Sequence, residues 1–310
     1  ILRERADAAA DEYNLGNAAA AKQQLLALED TLAKRTDVPS LLIRIDVNRV
    51  LAHIAASAFE REAALKLGAL AAKLAAQHAP NTPSQVNALS SYAYALDLSE
   101  RIEESRAVYR QSIEIAERSS GADSVEAGVA HLTYGEALAM QLGAQPLAIT
   151  HLKRALEIST PRFGADSYWI ARIEDTLARS LSQTGQYQAA MPLFERSQKT
   201  FDKLATHIPP ETIARNWMKY AEHLMNIGDP EAARLQLTRA HAVVGNRPAG
   251  RVMLPLLTTR MHTDAGEYAK ATALLRKSSD DLAELWPRDS LEHAHILNRL
   301  ISEFLHMETV

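Results

Sequence analysis

The sequence predicts an all-α solenoid: about seven antiparallel helix pairs in tandem, followed by a C-terminal capping helix. Three observations predict it. A spacing of about 42 residues returns along nearly the whole chain. Apolar residues recur at i, i+3, i+4 and i+7 within each unit, which is one stripe on a helix. The composition is helix-forming: Ala and Leu dominate, Glu, Gln, Arg and Lys are frequent, aromatic residues make up 5% and glycine occurs 12 times in 310 residues. A chain of this length rarely closes around one compact core. A repeat array escapes that limit, because each unit packs only on its neighbours.

The repeat reads out in columns. Gly185-x-Tyr187-x-x-Ala190-x-x-x-Phe194 returns as Gly266-x-Tyr268-x-x-Ala271-x-x-x-Leu275 and as Gly228-x-Pro230-x-x-Ala233-x-x-x-Leu237. Gly143 with Ala148 and Leu152, and Gly16 with Ala21 and Leu25, keep the frame. Two weaker copies place Glu100, Ser105 and Tyr109, and Ala58, Ala63 and Leu67, in the same columns. The small anchors are then Ala21, Ala63, Ser105, Ala148, Ala190, Ala233 and Ala271, separated by 42, 42, 43, 42, 43 and 38 residues. Glycine ends a helix in the left-handed conformation. The small anchor lets two helices approach, and the large residue one turn later fills the space between them.

The preceding helix has its own signature. Trp217-x-x-Tyr220-Ala221-x-x-Leu224 is matched by Leu89, Tyr92, Ala93 and Leu96, by His131, Tyr134, Gly135 and Leu138, and by Glu174, Leu177, Ala178 and Leu181. The predicted pairs occupy about 1–35, 39–78, 83–119, 123–160, 166–207, 210–245 and 251–286, with a cap over 288–306, all in one domain spanning 1–310. Asp37-Val38-Pro39-Ser40, Pro80-Asn81-Thr82-Pro83-Ser84, Ile208-Pro209-Pro210 and Trp286-Pro287-Arg288-Asp289 punctuate the breaks.

These columns resemble the tetratricopeptide repeat (TPR), most strongly over about 85–278 and least near 40–80. The resemblance implies a right-handed superhelix and a non-catalytic scaffold that binds a protein or peptide. The usual unit is about 34 residues; the longer one here is similar to the repeats of kinesin light chain and of many bacterial TPR proteins. Gly121-Ala122-Asp123-Ser124 and Gly164-Ala165-Asp166-Ser167 lie 43 residues apart, each with Asp or Ser placed to cap the next helix. Similar turns occur in TPR arrays attached to bacterial membrane Ser/Thr kinases and transcription regulators. The resemblance therefore implies a sensor or partner-recruiting arm of a bacterial signalling protein, such as a membrane Ser/Thr kinase. The alternative is a small-molecule-sensing helical-repeat domain of a transcription regulator.

Other classes find little in the sequence. Net charge is −4, without the basic stripe of a nucleic-acid binder. There is no cysteine, so disulfides and thiolate metal sites are impossible, and an extracytoplasmic, periplasmic compartment is mildly favoured. No run approaches the ~20 apolar residues of a membrane span. The chain, which begins at Ile1, reads as an excised segment or mature product. Kinase, P-loop and Gly-x-Ser-x-Gly motifs do not occur. His293 and His295 stand two residues apart on a predicted helix and diverge, which argues against a shared metal. No cofactor, metal or catalytic residue is expected.

In TPR arrays the first helices line the concave groove. That places Asn48, Asn87, Ser90, Tyr94, Asp97, Arg172, Asp175, Arg179, Arg215, Met218, Glu222, Met225 and Arg260 on the ligand face. Arg172, Arg179 and Arg215 would form a basic strip reading carboxylates, which implies a partner of acidic character. Met218 and Met225 would be adaptable apolar contacts and Tyr94 an anchor. The Lys/Asn/Arg set of chaperone-binding TPR domains is not found. The last helix, with Leu291, Ile296, Leu300, Phe304 and Leu305, reads as a cap or a homodimer face.

Overall fold

The computed structural model describes residues 1–14, 17–58 and 60–285, together with 297, 300 and 301. Regular structure among them is α-helical, fourteen helices in consecutive pairs. They are α1 (Leu2–Asn14) with α2 (Ala18–Leu32), α3 (Val38–Ser57) with α4 (Arg61–His78), α5 (Pro83–Leu98) with α6 (Ile102–Ser120), and α7 (Val125–Met140) with α8 (Gln145–Phe163). Then follow α9 (Tyr168–Gln183) and α10 (Tyr187–Lys203), α11 (Pro210–Asn226) and α12 (Pro230–Val244), and α13 (Pro248–Asp264) and α14 (Tyr268–Leu285). The predicted cap over 288–306 and the pair His293 and His295 lie outside the described residues, apart from Leu297, Leu300 and Ile301. The chain forms two compact units, Ile1–Ser180 and Leu181–Val310.

The anchor column explains why the pairs close. Ala21, Ser105, Ala148, Ala190, Ala233 and Ala271 are all 0% exposed. Ser105, the one polar anchor, donates its hydroxyl to the Ala93 carbonyl across the pair at 2.9 Å, so burial leaves no orphan group. One position in the second unit of the repeat is corrected. The anchor on α4 is Ala64, at 0%, and Ala63 is only half-buried. Gly68, not Leu67, then stands one turn later. A Cβ built on Gly68 would lie 3.1 Å from the Tyr92 Cα, so α4 and α5 touch almost backbone to backbone there.

The turns within pairs follow the glycine column. Gly143, Gly185, Gly228 and Gly266 have φ between 73° and 82°, a conformation that costs other residues strain. Gly16 lies outside the described residues. Glu100 takes the same place between α5 and α6 with φ 61°. Between pairs, the repeated tetrapeptide divides its labour. Gly121 and Gly164 close the helix before, with φ 98° and 78°. Ser124 Oγ then accepts from Ala127 N at 3.1 Å and Ser167 Oγ from Ile170 N at 3.4 Å. Asp123 does not cap; it pairs with Arg154 at 2.6 Å.

In the first unit the helices form two layers. α1 packs on α3, α3 on α5, and α5 on α7, while α2, α4 and α6 each pack on the first helices to either side. Among the described residues α2, α4 and α6 do not pack on one another. The first helices therefore form the closer-set, inner layer. In the second unit α11 packs on α13 in the same way. Leu300 joins Val252, Leu256, Leu275 and Leu282 in that unit's core.

Candidate functional site

The inner layer of the first unit carries a stripe of polar and half-exposed residues on each first helix. α3 contributes Asp46, Arg49 and His53; α5 contributes Asn87, Ser90, Tyr94 and Asp97; α7 contributes Thr133, Glu136 and Met140; α9 contributes Trp169, Arg172 and Arg179. Within each helix these residues sit three, four or seven apart, one face over successive turns. The rest of α3 is almost wholly buried, with twelve core residues among its 20.

Polar pairs tie each first helix to the next. Arg3 of α1 reaches Asp46 of α3 at 2.5 Å. His53 Nε2 and Ser91 Oγ of α5 are 2.9 Å apart. Gln141, just past α7, donates to Asp97 at 3.2 Å. Arg172 grips Glu136 with two nitrogens, at 2.6 and 2.5 Å. In the second unit Ser182 and His223 meet at 3.0 Å, and Arg260 donates to Asn226 at 2.8 Å. The part-buried ties among these help fix the register of helices that apolar packing alone would let slide.

The electrostatics follow from burial. Desolvation, aided by the positive charges of Arg49 and Arg172, pushes the His53 pKa down to about 4, so the ring is neutral and stacks on Tyr94 with centroids 5.8 Å apart. Burial pushes Asp97 up to about 6 against the pull of Gln141. Arg172 lies over the Trp169 ring at 5.5 Å, and Trp169 and Tyr94 remain 37% and 36% exposed. The stripe thus offers hydrogen-bond partners and two aromatic platforms.

Several expected groove residues behave otherwise. Asn48 is 0% exposed and spends its amide on Glu29 and the Arg44 carbonyl, at 2.6 and 2.9 Å. Its neighbour Arg49 holds the inner position instead. The anchor shift from Ala63 to Ala64 accounts for this, since Asp46, Arg49 and His53 precede Ala64 by the same intervals as Asn87, Ser90 and Tyr94 precede Ser105. Asp175 and Met225 are buried, at 6% and 8%. Arg172 is already neutralised by Glu136, and an Arg179 nitrogen lies 3.4 Å from the Ala139 carbonyl, so these two are not an open basic strip. Arg215 is exposed in the second unit, beside half-buried Met218 and Glu222. Arg260 is held by Asn226.

Residues 84–160 and 126–203 match the family model "Tetratricopeptide repeat". Residues 84–203 carry tetratricopeptide repeats. No match is found among curated protein sequences. Solved structures share the TPR fold at low identity. The apo form of RapI is 15% identical, with a TM-score of 0.65, over 90% of this chain and 97% of that one. A Rap protein complexed with Competence and Sporulation Factor is 14% identical, with a TM-score of 0.67, over 89% and 73%. A Podosopora anserina kinesin light chain with nearly identical TPR-like repeats is 16% identical, with a TM-score of 0.51, over 66% and 96%. No described helix is long and apolar enough to cross a membrane.

Proposed function

We propose that the inner layer of the first unit binds an extended segment of a protein or peptide. The observation that carries this reading is the stripe itself. Four consecutive first helices present polar groups and exposed aromatics on the face where their neighbours leave them half-open. Packed helix axes lie about 8–10 Å apart. An extended chain rises about 3.3 Å per residue. Each helix would thus meet every third residue of the ligand, with Tyr94 as the apolar anchor and Asn87 and Thr133 for its backbone groups. Acidic character in the partner is not part of this proposal, because Arg172 is already satisfied by Glu136. The role extends, as part of the same reading, to the recruiting arm of a bacterial signalling protein such as a membrane Ser/Thr kinase. It rests there on the repeated Gly-Ala-Asp-Ser turn and on the fold shared with a Rap protein complexed with Competence and Sporulation Factor.

The test is binding of the chain to a random-peptide array, wild type against the double variant Asn87→Ala, Tyr94→Ala. Loss of an aromatic anchor costs about 1–2 kcal/mol, so captured peptides should bind roughly tenfold more weakly. Undiminished capture by the double variant rejects this face.

A small-molecule reading has one observation in its favour. The second unit holds a groove of about 610 Å³ lined by Leu237, His241, Leu254, Met261 and His262. That volume lies in the range of ligand sites.

A further inference from the structure

Arg49 is the anomaly of the inner stripe. It is half-buried on α3, its Nε is sealed from solvent with no partner, and no ion pair or hydrogen bond holds its guanidinium among the described residues. The acid one turn before it, Asp46, is engaged by Arg3 of α1 at 2.5 Å. The side chain one turn after it, His53, is occupied by Ser91 at 2.9 Å and by the stacked Tyr94 ring. Across the same face, the charge of Arg172 is matched by Glu136. The opposite charge that acts on the guanidinium is that of Asp46, which lies beyond bonding reach of it and is already shared with Arg3. A partly desolvated cation without a partner destabilises a fold. Such a group is retained where a ligand supplies the missing charge.

We propose that Arg49 is an oxyanion seat that takes one carboxylate of the ligand, with the His53–Tyr94 stack as its wall. The site rests on the peptide-binding reading above and adds the chemistry of one end of the ligand. The guanidinium fork has five donors and none is used, which suits bidentate capture of a planar carboxylate. A carboxylate brings one negative charge, whereas a phosphate dianion would crowd more negative charge beside Asp46 in a half-buried place. The carboxylate has two sources, a peptide C-terminus or a free organic acid.

Three probes separate them in calorimetry and thermal melting: a pentapeptide pool lacking Asp and Glu with free C-termini, the same pool amidated, and sodium succinate. The variants are Arg49→Met, which keeps the bulk, and Arg49→Lys, which keeps the charge without the fork. Binding of the free-acid pool but not the amidated one, weakened about 30-fold or more in Arg49→Met and less in Arg49→Lys, supports a peptide terminus. The same pattern with succinate alone supports the seat and rejects the peptide reading. Removing this half-buried, unbonded guanidinium should also raise the Tm of the ligand-free chain by about 2–4 °C, where a merely structural arginine would lower it. Equal binding of both pools, unchanged in Arg49→Met, leaves the peptide reading standing and overturns the seat. No Arg49-dependent response to any probe overturns it too. If Arg49→Met does not fold, Arg49→Lys decides between the same outcomes.

Discussion

Gly135 sits where α7 and α8 come closest. A Cβ placed on it would meet the Leu152 Cγ at 2.8 Å and the Leu152 backbone nitrogen at 3.3 Å. Leu152 is itself 0% exposed, so it has little room to withdraw. Gly135→Ala should therefore destabilise the chain by about 1–3 kcal/mol, as overpacking does, although alanine is the better helix former. Urea denaturation of the variant checks this; an unchanged or higher midpoint contradicts the packing. The neighbouring lesson at Gly68 is similar. Two adjacent alanines, Ala63 and Ala64, offered the same small anchor, and only the close approach of Gly68 to Tyr92 selects the second.

At the scale of elements, one described turn within a pair departs from glycine. Glu100 holds the left-handed conformation that glycine takes in four other turns, and it gives back only an exposed ion pair with Arg61 at 3.4 Å. Such surface pairs contribute little. Glu100→Gly should stabilise the chain by up to about 1 kcal/mol, by removing the Cβ strain that a side chain meets there. A thermal melt reads it, and a lower Tm would show that the turn is relaxed with glutamate in place. The polar ties between first helices are a second element-scale feature. Each joins residues some 34 to 44 positions apart, one repeat along, so they fix each repeat against its neighbour.

For the molecule as a whole, stability should fall with acid. His53 has a native pKa near 4 against an ordinary 6.5, so the unfolded chain takes up the proton first. Its contribution is complete above about pH 6.5 and is lost progressively down to pH 4, on the order of 1–3 kcal/mol. His151, also near 4 through burial, and His131, shifted down by burial too, work in the same direction; the two rings meet at 2.8 Å. Asp97 works against them. Its pKa of about 6 exceeds the ordinary 3.8, so the native state holds a proton the unfolded state has released, and stability rises as pH falls through that window. Three histidines outweigh one carboxyl, so urea midpoints should drop between pH 6.5 and 4.5. His53→Gln, which can still hydrogen-bond Ser91, should flatten that slope. A pH-independent midpoint in the wild type would refute the assignment.

The all-α repeat, its period and most of the small anchors were legible in the sequence because they depend on local geometry. A left-handed turn needs glycine, and a close helix approach needs a small residue at a fixed place in the period. On α5, Asn87, Ser90, Tyr94 and Asp97 interrupt a regular apolar stripe and share one helix face. On α3 the expected position is off by one residue, because apolar residues there fall on every side of the helix and the periodicity cannot set the phase. Nor does a sequence state which charges are already spent. Arg172 and Arg49 read alike as letters; only the folded inner layer brings Glu136 to one and leaves the other without a bonded partner, because ion pairs between repeats join residues about a repeat apart.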